Sequence, residues 1–179
     1  GSTLSNVDDY TNLSRVLLDR GQTDGAHRIT AQLRRDWRGS KQGELAALVM
    51  ETLCANQEGN PAKARDIIEQ ALQLSTSLHE TGKGSLLSQA LTLDLAQACL
   101  ATGKEAEARD IFRQVAAENH EDRNMIAKVQ GIYSKAGREA DGQALLAEVG
   151  KEIVELNNRG VLAARNGDAP ADEYYASTA

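Results

Sequence analysis

The residues of this 179-residue chain best suited to metal, nucleophilic or redox chemistry are three histidines, His27, His79 and His120, and two cysteines, Cys54 and Cys99. A sequence-readable zinc site needs several Cys, His or carboxylate donors at short, fixed spacing, because one turn or one helix face must aim them at a single ion. None of the histidines has such a partner, so surface or capping roles are expected, with no metal and no cofactor. Both cysteines lie in Ala- and Leu-rich helical stretches, where a free thiol packs as a small apolar group; buried, reduced Cys is expected, with a disulfide or redox pair as the alternative. Thr81-Gly82-Lys83-Gly84-Ser85 contains Gly-Lys but lacks the earlier glycine, the following Ser or Thr and the preceding strand of a Walker loop. No Ser, Cys or Lys nucleophile carries a local motif. The chain is therefore read as non-enzymatic, with no catalytic residue assigned.

The densest charge is Arg28, Arg34, Arg35, Arg38 and Lys41 around Trp37, set against Asp24 and Asp36. An arginine stacked on an exposed Trp suits an acidic peptide or a nucleic acid. The same run also fits a solvated helix with one packed Trp. A net charge of −6 disfavours a general phosphate-binding face, since a polyanion rewards a basic surface and is repelled by an acidic one. Nucleic acid is accordingly a lesser expectation, confined to this patch.

The elements that position these residues follow from periodicity. Aromatics make up only 3% of the chain, so Ala, Leu, Ile and Val must fill the core, and small residues let helices approach closely. No alternating Val/Ile/Thr run is bounded by turn residues, so no sheet is expected. No apolar run approaches the roughly 20 residues that span a bilayer, and no membrane insertion is expected. Gly1 and Ser2, without an initiator Met, read as residues left by cloning, which makes the chain a piece of a longer protein.

Self-similarity is the strongest signal. The block Ala62-Lys63-Ala64-Arg65-Asp66-Ile67-Ile68-Glu69-Gln70 matches Ala106-Glu107-Ala108-Arg109-Asp110-Ile111-Phe112-Arg113-Gln114 at six of nine positions. Each block follows a glycine that ends an apolar helix. Five residues after Gly21, Gly59, Gly103 and Gly137 stand Ala26, Ala64, Ala108 and Gly142, and eight after stand Ile29, Ile67, Ile111 and Leu145. On the preceding helix, Leu17, Ala55, Cys99 and Tyr133 lie four residues before the glycine, and Leu13, Leu95 and Val129 eight before it. The small residues mark helix contacts and the larger ones a continuous core. The turn glycines are 38, 44 and 34 residues apart.

A roughly 34-residue helix, glycine turn and helix with a small residue opening the second helix resembles the tetratricopeptide repeat. Leu156 to Asp168, with Gly160 at the small crossing position, looks like the first helix of a further repeat; Gln130 and Thr52 depart from that small position. The resemblance implies an all-α fold, a superhelical array of antiparallel helix pairs, or α-solenoid, over residues 3–168. Helices are expected at about 6–20, 24–37, 41–57, 61–81, 86–102, 104–118, 122–136, 138–149 and 152–166, with Gly150 as a break or a weak point, and a partly disordered tail at 169–179.

The resemblance also implies function. First helices of each pair would line a concave groove for a protein or peptide. Projected onto this register, the groove residues are Arg15, Leu18, Val49, Leu53, Asn56, Leu93, Gln97, Leu100, Asn124, Lys135, Asn157, Val161 and Arg165. Their Ala-, Leu- and Val-rich character suits an amphipathic helix rather than an acidic chain terminus. The partner is a separate protein or another part of the same full-length chain, and homo-oligomerisation is open. The alternative is a ligand- or partner-responsive domain controlling an attached signalling domain, as in bacterial regulators with lengthened repeats. A reduced core is compatible with a cytoplasmic setting.

Overall fold

The computed structural model describes residues 4–166, and among them there are eight α-helices and no strand. They are α1 (Val7–Asp19), α2 (Thr23–Asp36), α3 (Lys41–Gln57), α4 (Pro61–Glu80), α5 (Gln89–Ala101), α6 (Glu105–Glu118), α7 (Arg123–Lys135) and α8 (Glu139–Asn166), with a short 3-10 turn at Gly84–Leu86. Local chemistry sets their starts. Asn6 and Asp9 form a reciprocal capping box, while Ser40, Asn60, Ser88 and Asp122 each accept from an otherwise unpaired amide of the first turn. Pro61 follows its cap at the position where a missing N–H costs nothing. The expected tail at 169–179 lies outside the described residues.

The four turns share one construction. Gly21, Gly59, Gly103 and Gly137 have φ of 72°, 74°, 81° and 73°, a left-handed conformation that strains any residue with a Cβ. The next residue then donates back to the carbonyl five positions earlier: Gln22 to Leu17, Asn60 to Ala55, Lys104 to Cys99 and Arg138 to Tyr133, at 2.8–2.9 Å. This is the Schellman arrangement, and it satisfies carbonyls that the helix end leaves open.

The chain divides into two compact units, Gly1–Ala108 and Arg109–Ala179. In the first, α1, α3 and α5 are successive neighbours, α2 packs on α1 and α3, and α4 packs on α3 and α5. The small positions Ala26, Ala64 and Ala108 are fully buried. The deepest side chains of the second helices come four residues later, at Thr30, Ile68 and Phe112, and three after that, at Leu33, Ala71 and Val115. Ile67 and Leu145 are buried as expected, whereas Ile29 and Ile111 are only half-buried, so the core stripe is centred one residue further along than the sequence suggested. Leu13 is exposed, on the helix that no earlier helix covers among the described residues.

In the second unit α7 packs on α8, and Phe112 of α6 meets Tyr133 of α7 with ring centroids 4.9 Å apart. The departure at Gln130 has a compensation. A Cβ on Gly142 would stand 2.8 Å from the Tyr133 Cβ and 2.9 Å from the Gln130 Oε1. Where the other repeats have Ser14, Thr52 or Ala96 in this register position and an alanine at the small position of the second helix, this repeat has a long amide and no side chain at all. Thr52 fits because its hydroxyl donates to its own helix, to the Leu48 carbonyl at 2.8 Å. Gly150 is no break: α8 runs continuously from Glu139 to Asn166, merging the two helices expected on either side of it, because one glycine costs a helix only about 1 kcal/mol. Among the described residues no helix is long and apolar enough to cross a membrane.

Candidate functional site

The candidate inner-wall residues of the first unit come from α1, α3 and α5. Among them α1 touches not only α3 but also α5 directly. Arg15 forks onto Asp94, its Nε donating to Oδ1 at 2.9 Å and its Nη2 to Oδ2, while its Nη1 donates to Asn12 at 3.2 Å. Nearby, the hydroxyl of Ser88, the residue that caps α5, donates to Asp8 of α1 at 2.7 Å. Asn56 donates to the Thr102 hydroxyl at 3.0 Å, joining α3 to the end of α5. Asp94 is 3% exposed, and burial pushes its carboxyl up to about 6 from 3.8, outweighing the Arg15 hydrogen bonds and charge that pull it down, with Asp8 adding to the rise.

Several residues projected onto a wall are thus inside the fold. Val49 is fully buried, and Leu18, Leu93 and Leu100 are buried too. The reason is visible in the middles of α3 and α5, where residues 45–50 and 93–96 are all buried, so every side of each helix is covered there. Leu53 is partly buried against the Leu18, Ala26 and Cys54 cluster, and Gln97 is half-buried. Arg15 and Asn56 are half-buried and spend their donors within the unit.

The second unit differs. Asn124 and Lys135 are exposed on α7, and between them Ala127, Lys128 and Gly131 complete an exposed stripe at helical spacing. A Cβ on Gly131 would meet nothing within 4 Å. On α8, Asn157 is half-buried and Val161 is 40% exposed. Arg165 lies on α8, but its side chain is outside the described residues.

The basic patch is also rearranged. Arg34, Arg35, Trp37, Arg38 and Lys41 line one pocket of about 480 Å³ with Gly39, Ser40, Glu44 and Leu74, whereas Arg28 lines a different one beside Asp24 and Gln22. Arg34 is bound to both Glu44 and Glu51, which neutralises it. Asp36 accepts from Tyr10 and Gln32 rather than facing the arginines. Trp37 is half-buried at the end of α2, its Cβ close to Gly43, and so is in part a packing residue of the α2–α3 turn.

A tetratricopeptide repeat profile matches residues 55–131, from the end of α3 into α7, and a second matches residues 10–32 across α1 and α2, together more than half of the chain. The chain belongs to the tetratricopeptide repeat family. No curated protein and no solved structure matches it significantly. Membership supports a protein–protein interaction module, since repeats of this family present their helix faces to other polypeptides.

Within this tetratricopeptide array the sequence reading missed one convergence. Neither Cys is disulfide-bonded, and Cys54 and Cys99 are both fully buried, as expected. Around Cys54, however, the structure gathers His27 from α2 and Glu58 from the end of α3, with one ligand atom of each within 4.8 Å of the others. His27 Nε2 is 2.6 Å from Glu58 Oε1. The sequence holds half of the signal, because Cys54 and Glu58 are four residues apart and share a helix face; the His27 half exists only once α2 packs on α3. The other histidines stay local: His79 Nδ1 lies 2.8 Å from the Ser75 carbonyl and His120 Nδ1 3.1 Å from that of Ala117.

Proposed function

We propose that this tetratricopeptide repeat protein binds an amphipathic protein segment on the exposed face of α7, floored by Ala127 and Gly131 and edged by Asn124, Lys128 and Lys135, with Asn157 and Val161 of α8 as further candidates. The observation that carries the reading is Gly131: it is exposed, at mid-helix, with open space where its side chain would project. A glycine there costs helix stability without relieving any crowding in the fold, and it admits close approach of another backbone. Small residues beside lysine suit a helix that is apolar on one side and acidic at its margins. The first-unit residues Arg15, Leu53, Asn56 and Gln97 then act by holding the array together rather than by touching the partner.

The test compares affinity capture by the wild-type chain and by Gly131→Gln. The substitution should leave thermal stability equal or higher and remove the proteins that the wild type enriches. A double variant, Arg35→Glu with Arg38→Glu, should leave capture intact. Capture that survives Gly131→Gln but is lost in the arginine variant transfers the binding role to the basic pocket.

A further inference from the structure

We propose that His27, Cys54 and Glu58 form a binding site for a thiophilic divalent cation of the zinc type, placed at the junction of the first two repeats. The three side chains supply one nitrogen, one sulfur and one oxygen, a donor set that suits zinc or cobalt and is poor for magnesium or calcium. They arrive from two helices: His27 from the second turn of α2, Cys54 from the last turn of α3, and Glu58 from the residue that caps α3.

The convergence belongs to this junction alone in the repeat register. The residues standing where His27 stands relative to its turn glycine are Arg65 and Arg109; those matching Cys54 are Ala98 and Ile132; those matching Glu58 are Thr102 and Ala136. None of these six is a zinc ligand, so the trio is not a by-product of the repeat's packing needs. At the equivalent place the repeat uses an arginine and small or apolar residues.

The geometry permits closure on an ion. Donors about 2.0–2.3 Å from a tetrahedral cation stand roughly 3.3–3.7 Å from one another. The His27–Glu58 separation of 2.6 Å must open and the wider separations, within 4.8 Å, must close. The side chains that move are the free ones, since those of His27 and Glu58 are 37% and 41% exposed, while Cys54 is held fully buried. Leu18 and Ala26 cluster with Cys54, with Leu17 and Leu53 packed against them, and supply the apolar shell that strengthens metal–thiolate bonding. Three protein ligands leave a fourth position for water or for a donor from a partner.

Without a cation a thiol buried in apolar surroundings keeps its proton. Binding therefore replaces the thiol proton by the cation. The Sγ–H bond breaks, an Sγ–metal bond forms, and one proton is released to solvent. Nothing is oxidised or reduced. Because the ligands join α2 to α3, the ion also clamps the first repeat to the second.

The test is titration of the reduced, chelator-treated chain with Co²⁺, read as the thiolate-to-cobalt charge-transfer band in the near ultraviolet and the visible bands of tetrahedral cobalt. One equivalent is expected to saturate both, Zn²⁺ to bleach them, and Zn²⁺ to raise Tm. Cys54→Ser should abolish the charge-transfer band, and Cys99→Ser should keep it. His27→Gln and Glu58→Gln change partly exposed side chains, so the fold should persist while affinity falls roughly tenfold or more. No charge-transfer band at excess Co²⁺, a band that survives Cys54→Ser or vanishes in Cys99→Ser, or unchanged affinity in either His27→Gln or Glu58→Gln overturns the site.

Discussion

Val49 of α3 and Ala127 of α7 each stand ten residues before a turn glycine, yet one is fully buried and the other is exposed. The same contrast separates Gln97, half-buried on α5, from Gly131 in open space on α7, each six residues before its glycine. In the first unit α1 meets α5 directly, with Arg15 bonded to Asp94 and Ser88 to Asp8 across the contact. In the second, α7 keeps a polar and small-residue face uncovered. One repeat register thus supports two outcomes: a branched apolar residue such as Val49 is covered in the first unit, while small residues such as Ala127 and Gly131 stay open in the second.

The largest expected effect tests that contrast directly. Val49→Glu buries an unpaired carboxylate and should cost about 4 kcal/mol or more, whereas Ala127→Glu should stay within about 0.5 kcal/mol, both measured by urea unfolding. Similar losses at the two positions would erase the distinction between the units.

Next is the ion pair across the α1–α5 contact. With its folded pKa about 6 against 3.8, Asp94 binds its proton more tightly in the folded state. Stability from this group is therefore fully present below about pH 4 and is lost as pH rises through 6. Asp94→Asn should then raise stability at neutral pH by roughly 1 to 3 kcal/mol relative to wild type, with the difference fading as pH falls to 4. A variant less stable than wild type at neutral pH would mean that the attraction of Arg15 exceeds the cost of burial.

Two glycines sharpen the comparison within the second unit. Gly142→Ala places a Cβ against Tyr133 and Gln130 and should cost about 1 to 3 kcal/mol despite the better helix former. Shortening the neighbour in the double variant Gly142→Ala, Gln130→Ala should recover part of that loss, a coupling that a double-mutant cycle measures. Gly131→Ala, with nothing nearby, should instead gain about 0.5 to 1 kcal/mol. Equal effects at the two positions would show that α7 and α8 leave room for a methyl group at Gly142.

Much of this protein was legible as sequence. The four turn glycines, the small residues five positions on, and the buried Cys54 and Cys99 follow from steric rules that act within a turn or a single helix. The candidate site was far less legible. Leu93 and Val49 read as wall residues because register places them on the face that the family opens, and nothing local reports whether another helix covers that face. The basic cluster around Trp37 looked like one patch, but Arg28 turned elsewhere and Arg34 was neutralised by Glu44 and Glu51, ten and seventeen residues away.

The sequence alone determined most of the helices, the cap and proline at Asn60 and Pro61, the left-handed glycine turns and the repeat, because each depends on hydrogen bonds and steric contacts among residues a few positions apart. Only the tertiary structure decided which first-helix faces stay open, how Gln130 is housed opposite Gly142, and that His27 meets Cys54 and Glu58. Those outcomes depend on the packing of one helix against another, where the position of a side chain is set by elements far away in the chain.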